Sequence, residues 1–316
     1  MKRKVILLSA VILTVLVSVN AILPDLLTPS MVREMRDLTE GLEPPEGEVL
    51  EDVSYRKRLF GGDAALDIYY PLESAAELYG SYDSGLAPVL VFFHGGSWLH
   101  GDRKMIRIVD PFLHKLRSRG IAVVSVGYTA GLAGGLREPV RNCREALLWL
   151  RERGADYGLN PRAAGLYGVS AGAHLALMSV PDAVADPGLD LRFVLEEFGP
   201  VDLTAMAEGD AFDFSSSLAL FPSSFLEKYS PVRYVASDWP PVLMFHGTGD
   251  TLVSIRQTEL LARTLKEKGV PHAFHVVPGG DHGFFNKSGE FWGELEDRCL
   301  AFVMPLYFPG EPVGGF

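Results

Sequence analysis

Residues 168–172 read Gly-Val-Ser-Ala-Gly and stand between an apolar run, 163–167, and a helix-like run, 173–180. Strand, G-x-S-x-G, helix is the order required by a strained strand-to-helix turn with the serine at its tip. So sharp a turn admits only small neighbours, and Gly168, Ala171 and Gly172 supply them. It holds the Ser170 hydroxyl clear of the strand, where a carbonyl group can reach it. It also demands a sheet whose strands feed helices. In a chain with 33 glycines the pentapeptide alone is a modest signal, so its surroundings decide.

Those surroundings alternate. Residues 53–59 and 65–70 predict a hairpin turning at Gly61-Gly62-Asp63, and 74–85 read as a polar loop. Residues 88–93, Pro-Val-Leu-Val-Phe-Phe, are continuously apolar, the mark of a strand buried on both faces. They run into His94-Gly95-Gly96-Ser97-Trp98. A helix over 105–119, a strand over 121–126 and a helix over 139–153 lead to the pentapeptide. After it come a strand over 193–198 and a loop-rich stretch, 199–240, carrying Phe212, Phe214, Leu218, Leu220, Phe221, Phe225 and Trp239. The strand over 241–246 ends in Gly247-Thr248-Gly249-Asp250. A helix over 255–268, a strand over 272–277 and a helix over 291–303 complete the pattern, with His282-Gly283 in the loop after the last strand. This alternation predicts an α/β fold: a mostly parallel, doubly wound sheet with helices on both faces and a short loop-rich insertion. In such sheets ligands bind beyond the carboxyl ends of the strands. Four of those ends carry His94-Gly95-Gly96, Ser170, Asp250 and His282.

Composition excludes several classes. A net charge of −11 argues against nucleic acid as a partner. No Cys/His cluster has metal spacing and no glycine-rich nucleotide motif sits between a strand and a helix, so no metal or organic cofactor is expected. Residues 1–23 stand apart. Lys2-Arg3-Lys4 precedes an apolar run over 5–19, and Val19-Asn20-Ala21 offers a cleavage site. This segment is expected to be either an export signal or, counted through to residue 23, a retained anchor giving membrane association through 5–23. Both place the body outside the cytoplasm. Residues 24–50 read as a tether with a short helix, and 51–316 as one catalytic domain. Cys143 and Cys299 lie in helix-like stretches and are read as buried free thiols.

A serine hydroxyl needs a base within hydrogen-bond reach, and that base needs an orienting acid. His282, in a glycine-rich loop, is the expected base. Asp250 is the expected acid, preferred to Asp281 because a direct neighbour of the histidine points the wrong way. The oxyanion donors expected are the amide of Ala171 and the turn after His94, with Gly96 and Ser97 favoured and Gly95 alongside. His94 and His246, which end buried strands, are read as structural. His174, one turn beyond Ser170, is read as packing or hydrogen-bonding behind the serine turn.

With these residues in place, the chain resembles an α/β-hydrolase esterase, similar to the branch holding feruloyl/acetylxylan-type esterases, kynurenine formamidase-like enzymes and prenylcysteine methylesterases. The matching pieces are His94-Gly95-Gly96-Ser97-Trp98 with Gly101-Asp102, the 168–172 pentapeptide with His174-Leu175, Tyr229-Ser230-Pro231, 246–250 and His282-Gly283. They cover about residues 50–305. The resemblance implies a serine-dependent carboxylic ester hydrolase that works through an acyl-enzyme on small-molecule esters, with Ser170, Asp250 and His282 as its triad. The short insertion points to short-acyl esters. Amide cleavage of formamidase or peptidase type, and a non-catalytic binding protein on a hydrolase fold, are the alternatives. The chain departs from the family where Ser97 replaces a third glycine, where Tyr128-Thr129 replaces Tyr-Arg, and where Asn142 replaces Asp.

Overall fold

A computed structural model describes residues 45–57, 64–79, 85–129, 136–210, 218 and 221–310. The expected leader over 1–23, the short helix before residue 44, the 61–63 turn and the aromatics Phe212 and Phe214 lie outside these residues. Among the described residues, no helix is long and apolar enough to cross a membrane.

Among the described residues, eight strands form one sheet: β1 (Val49–Arg56), β2 (Ala64–Tyr69), β3 (Ala87–Phe93), β4 (Ala122–Val126), β5 (Leu159–Val169), β6 (Leu191–Glu197), β7 (Val242–Gly247) and β8 (His272–Val277). Their spatial order is β1-β2-β4-β3-β5-β6-β7-β8. The β1–β2 and β2–β4 pairs are antiparallel, and all others are parallel. β1 begins at Val49, ahead of the boundary drawn at residue 51. Among the described residues, the α-helices of five or more residues are α1 (Ala75–Tyr79), α2 (Asp110–Arg117), α3 (Arg137–Arg153), α4 (Ala171–Ala185), α5 (Ser223–Lys228), α6 (Arg256–Lys268) and α7 (Gly289–Tyr307).

β3 shows why its sequence is apolar throughout. Val89, Val91 and Phe93 join one core with residues of α3, α4 and α6. Leu90 and Phe92 join the other with residues of α2 and α7. Side chains alternate across a strand, so only a strand covered on both faces can be continuously apolar. The sheet order reverses between β3 and β5: the chain goes from β3 outward to β4, then returns to β5 and builds toward β8. Such a switch opens a crevice beyond the strand ends, and it lies between the 94–98 turn and Ser170.

Two local expectations change. Residues 74–85 were expected as loop, yet they contain α1. Ser74 Oγ accepts from the Glu77 amide at 3.1 Å, and Glu77 Oε2 accepts from the Ser74 amide at 3.4 Å. This is a reciprocal capping box, legible as S-x-x-E. The single helix expected over 105–119 is instead a tighter 3₁₀ segment, Arg103–Val109, followed by α2. Pro111 explains the break, because proline has no amide to donate and fits only the first turn of a helix.

Candidate active site

Ser170 sits between β5 and α4 with φ +55°, in the left-handed region that disfavours side chains. Close packing holds it there. Its amide donates to the Glu197 carbonyl at 2.8 Å. A Cβ at Gly172 would overlap the carbonyl oxygen of Phe93, so α4 approaches the end of β3 as only glycine allows.

Across the crevice, two turns are stitched together. Thr248 N–H donates to Val277 O at 3.0 Å, Gly249 N–H to Gly280 O at 3.0 Å, and Gly279 N–H to Thr248 Oγ1 at 2.8 Å. These bonds register the turn after β7 against the turn after β8, and so set Asp250 against His282. His282 Nδ1 lies 2.7 Å from Asp250 Oδ2, and His282 Nε2 lies 2.9 Å from Ser170 Oγ. With Nδ1–H donating to the carboxylate, Nε2 is left to accept the serine proton. The imidazole is packed at an angle against Phe198, ring centroids 4.8 Å apart. Asp281 is turned elsewhere, with its carboxylate accepting from the Asn286 amide.

The Asp250 side chain is closed to solvent. Burial by itself pushes its pKa up. Hydrogen bonds from His246 and His282, the charge of His282 and the Val253 amide more than offset this and hold the carboxyl below its usual range. Oδ1 accepts from the amides of Leu252 and Val253, both at 2.9 Å. Oδ2 accepts from His282, and His246 Nε2 stands 3.2 Å from the same oxygen. Nε2 of His246 also lies 2.9 Å from the Val253 carbonyl, so it carries the proton. Nδ1 then accepts from the Thr258 hydroxyl at 2.7 Å. His246, read from sequence as structural, therefore touches the acid directly. Its i, i+4 spacing from Asp250 in 246–250 was the available signal.

The turn after β3 comes next to the serine. A Cβ on Gly95 would lie 3.5 Å from that of Ser170. Gly96, Ser97 and Trp98 have φ of +113°, +58° and +60°. The Gly96 carbonyl accepts from the Leu99 and His100 amides, both at 2.9 Å, closing a tight turn. At one end His94 stacks on Tyr128 at 4.0 Å, and the Tyr128 hydroxyl donates to the His94 carbonyl at 2.8 Å. On the other side of Ser170, Ala171 opens the 15-residue α4. The first amides of a helix have no partner within it, and the helix dipole favours negative charge there. Gly95 thus lies against Ser170 on one side, Ala171 follows the serine into α4, and Gly96 and Ser97 come next in the Gly95 turn.

The departure at Tyr128-Thr129 is compensated. The Thr129 amide and hydroxyl both donate to Asn142 Oδ1, at 2.9 and 2.7 Å. Cys143 and Cys299 are buried and unpaired. Among the described residues, no cluster of three or more His, Cys, Asp or Glu could hold a metal ion. Sequence reasoning also missed Glu196 and Glu197, two buried carboxyls at the end of β6. Burial pushes Glu196 up to about 8, with the Gly199 amide partly opposing it, and Glu197 to about 7, with the Tyr167 hydroxyl partly opposing it.

The BD-FAE family profile matches residues 66–265 of the chain. Esterase LipQ of Mycobacterium tuberculosis is 28% identical over 216 residues, covering 63% of this chain and 50% of LipQ. Kynurenine formamidase of Meyerozyma guilliermondii is 25% identical over 218 residues, covering 64% of this chain and 80% of that protein. Among solved structures, esterase B from Lactobacillus rhamnosis superposes with a TM-score of 0.74 at 20% identity, over 92% of this chain and 96% of that one. The fold is therefore the one these esterases share. The chain matches about half the length of LipQ and of its relative LipM.

Proposed function

The chain belongs to the BD-FAE family, and on that premise we propose that it is a serine-dependent carboxylic ester hydrolase working through an acyl-enzyme. The observation that carries this reading is the unbroken line from Ser170 Oγ to His282 Nε2 at 2.9 Å and from His282 Nδ1 to Asp250 at 2.7 Å.

In this reading Ser170 Oγ attacks the ester carbonyl as His282 Nε2 takes its proton. Asp250 holds the Nδ1–H tautomer and stabilises the imidazolium. The negative charge moving onto the carbonyl oxygen meets the Ala171 amide and the amides of the 95–97 turn, already oriented before the reaction begins. His282 returns its proton to the leaving alcohol and the acyl-enzyme forms. A water molecule then gives its proton to His282 and attacks the acyl carbon, releasing the acid and restoring Ser170. The stretch between β6 and β7 contributes only short helical turns among its described residues, which supports short-acyl esters as substrates. The likeness to a formamidase keeps amides as the second substrate class. The basic and apolar residues of 2–23 support an extracytoplasmic location, secreted or anchored. Mass spectrometry of the mature N-terminus decides between those two.

The test is hydrolysis of p-nitrophenyl acetate, butyrate and octanoate by the full chain and by Ser170→Ala. Turnover that falls at least about 10⁴-fold in the variant, and that is fastest on the shorter esters, is expected. A folded wild type that hydrolyses none of them would reject the ester reading, and turnover of N-formyl amides instead would put the amide reading in its place.

A further inference from the structure

The 96–98 turn poses a physical question. Two consecutive residues with side chains, Ser97 and Trp98, are held at φ +58° and +60°. Such conformations are strained and persist only where the surroundings over-determine them. The Trp98 side chain shows what does so here. It is buried at 7% exposure, and its indole Nε1–H donates to His174 Nδ1 at 3.1 Å. The two rings meet edge to face at 5.1 Å and 82°.

His174 can accept this bond in only one tautomer. Its Nε2 lies 2.7 Å from the Tyr229 carbonyl, an acceptor, so Nε2 carries the proton and Nδ1 the lone pair. The ring is fully buried, which pushes its pKa down to about 4 despite the carbonyl bond, so it is neutral at physiological pH. His174 lies on the first turn of α4, whose N-terminal amide belongs to Ala171. Trp98 lies directly beyond Ser97. This side-chain hydrogen bond therefore ties together the two pieces of backbone whose amides would point at one oxygen atom.

We propose that His174 is a positioning residue for the oxyanion site: through Trp98 it locks the left-handed 96–98 turn to α4, so that the amides of the turn and of Ala171 stay aimed at a common point. The Tyr229 carbonyl, just beyond α5, fixes the tautomer and links this latch to the segment between β6 and β7. The role rests on the ester hydrolase reading above. It predicts a loss confined to the charged transition state, because the ground-state carbonyl makes weaker use of these donors.

Full-chain Trp98→Phe, His174→Phe, their double variant and His174→Asn test it, with kcat and KM on p-nitrophenyl butyrate. The inhibition constant of an alkyl trifluoromethyl ketone, which places an oxyanion in the same site, is the second readout. Trp98→Phe and His174→Phe are expected to lower kcat about 10–100-fold, to leave KM within about 2-fold, and to weaken the ketone by the same factor as kcat. The double variant should be no worse than the poorer single one, as for two ends of one bond. His174→Asn keeps an acceptor near the position of Nδ1 and should recover most of the loss. Unchanged kcat and ketone affinity in Trp98→Phe and His174→Phe, or losses that multiply in the double variant, would overturn the proposal. Should the His174 variants fail to fold, Trp98→Phe leaves α4 intact and decides on the same readouts. Nitrogen-15 NMR of the wild type reads the latch without any turnover: Nδ1 of His174 should be unprotonated and coupled to the Trp98 indole nitrogen. A protonated Nδ1 sinks the latch even in an active enzyme. A wild type inert to esters and ketone, with the coupling intact, removes the hydrolase reading instead.

Discussion

Asp250 and Glu196 are carboxyl groups on neighbouring strand ends, both with side chains closed to solvent. Burial drives both toward the neutral acid, yet they end in opposite states. Asp250 collects two backbone amides and two histidine N–H groups, and its carboxyl is held below the usual range. Glu196 accepts from the Gly199 amide, the Thr258 hydroxyl that donates to His246 stands 3.5 Å off, the carboxyl of Glu197 adds repulsion, and it rises to about 8. Depth therefore does not decide whether a buried acid is charged. The number of donors aimed at it does. Asp250, bonded to His282, is the position where the fold supplies a full set.

The sharpest way to break this contrast is to neutralise each acid with its isosteric amide. Asp250→Asn should lower kcat/KM by about 10⁴-fold, because the histidine loses its tautomer control and its countercharge. Glu196→Gln, measured beside it at pH 7, should stay within about 3-fold, because the side chain it replaces is already neutral. An equal loss in both would show that Glu196 is charged in the native protein. A smaller effect is expected at His246, which contributes one of the four donors to Asp250. His246→Phe should cost about 10-fold in kcat, the scale of one hydrogen bond to a charged group.

Stability supplies the next test, and its sign is fixed by linkage. Glu196 and Glu197 have folded values of about 8 and 7, above the ordinary carboxyl value of 4.5. The folded protein then binds more protons than the unfolded chain between those values, so their contribution is complete below about pH 4.5 and is lost as pH rises toward 8. Glu196→Gln should accordingly gain stability on the order of 5 kcal/mol at pH 9 in urea unfolding and almost nothing at pH 4.5. A gain at low pH would contradict the assignment. The mildest test concerns the thiols. Cys143 and Cys299 are buried, and that burial raises them well above the usual thiol value. Neither should react with Ellman's reagent at pH 8 until the protein is unfolded.

Much of this site was legible in the chain because it is local. The turn around Ser170 needs small residues at fixed offsets from the serine, and the strand of 88–93 must be apolar throughout because both of its faces are covered. The α1 capping box is equally local, in Ser74 and Glu77, but a five-residue helix is too short to show helical periodicity. Pro111 likewise marked where the second helix had to begin.

What could not be read is non-local. His246 looked structural because its contact with Asp250 depends on how the turn after β7 folds back. Nothing in the residues around Glu196 announces that its donors are few, since that number is set by β7 and α6 packing beside it. Trp98 and His174 are 76 positions apart, and only the crossing of the sheet at its switch point brings them within a hydrogen bond. The order of the main strands and helices, the strained serine turn and the residues at four strand ends follow from steric limits and periodicity along the chain, and so are written in it. Which buried acid collects donors, which histidine nitrogen carries a proton and what the Trp98 indole meets came from the folded structure. Each of those depends on donors and acceptors arriving from distant segments, and a hydrogen bond exists only where both partners are placed within about 3 Å of each other.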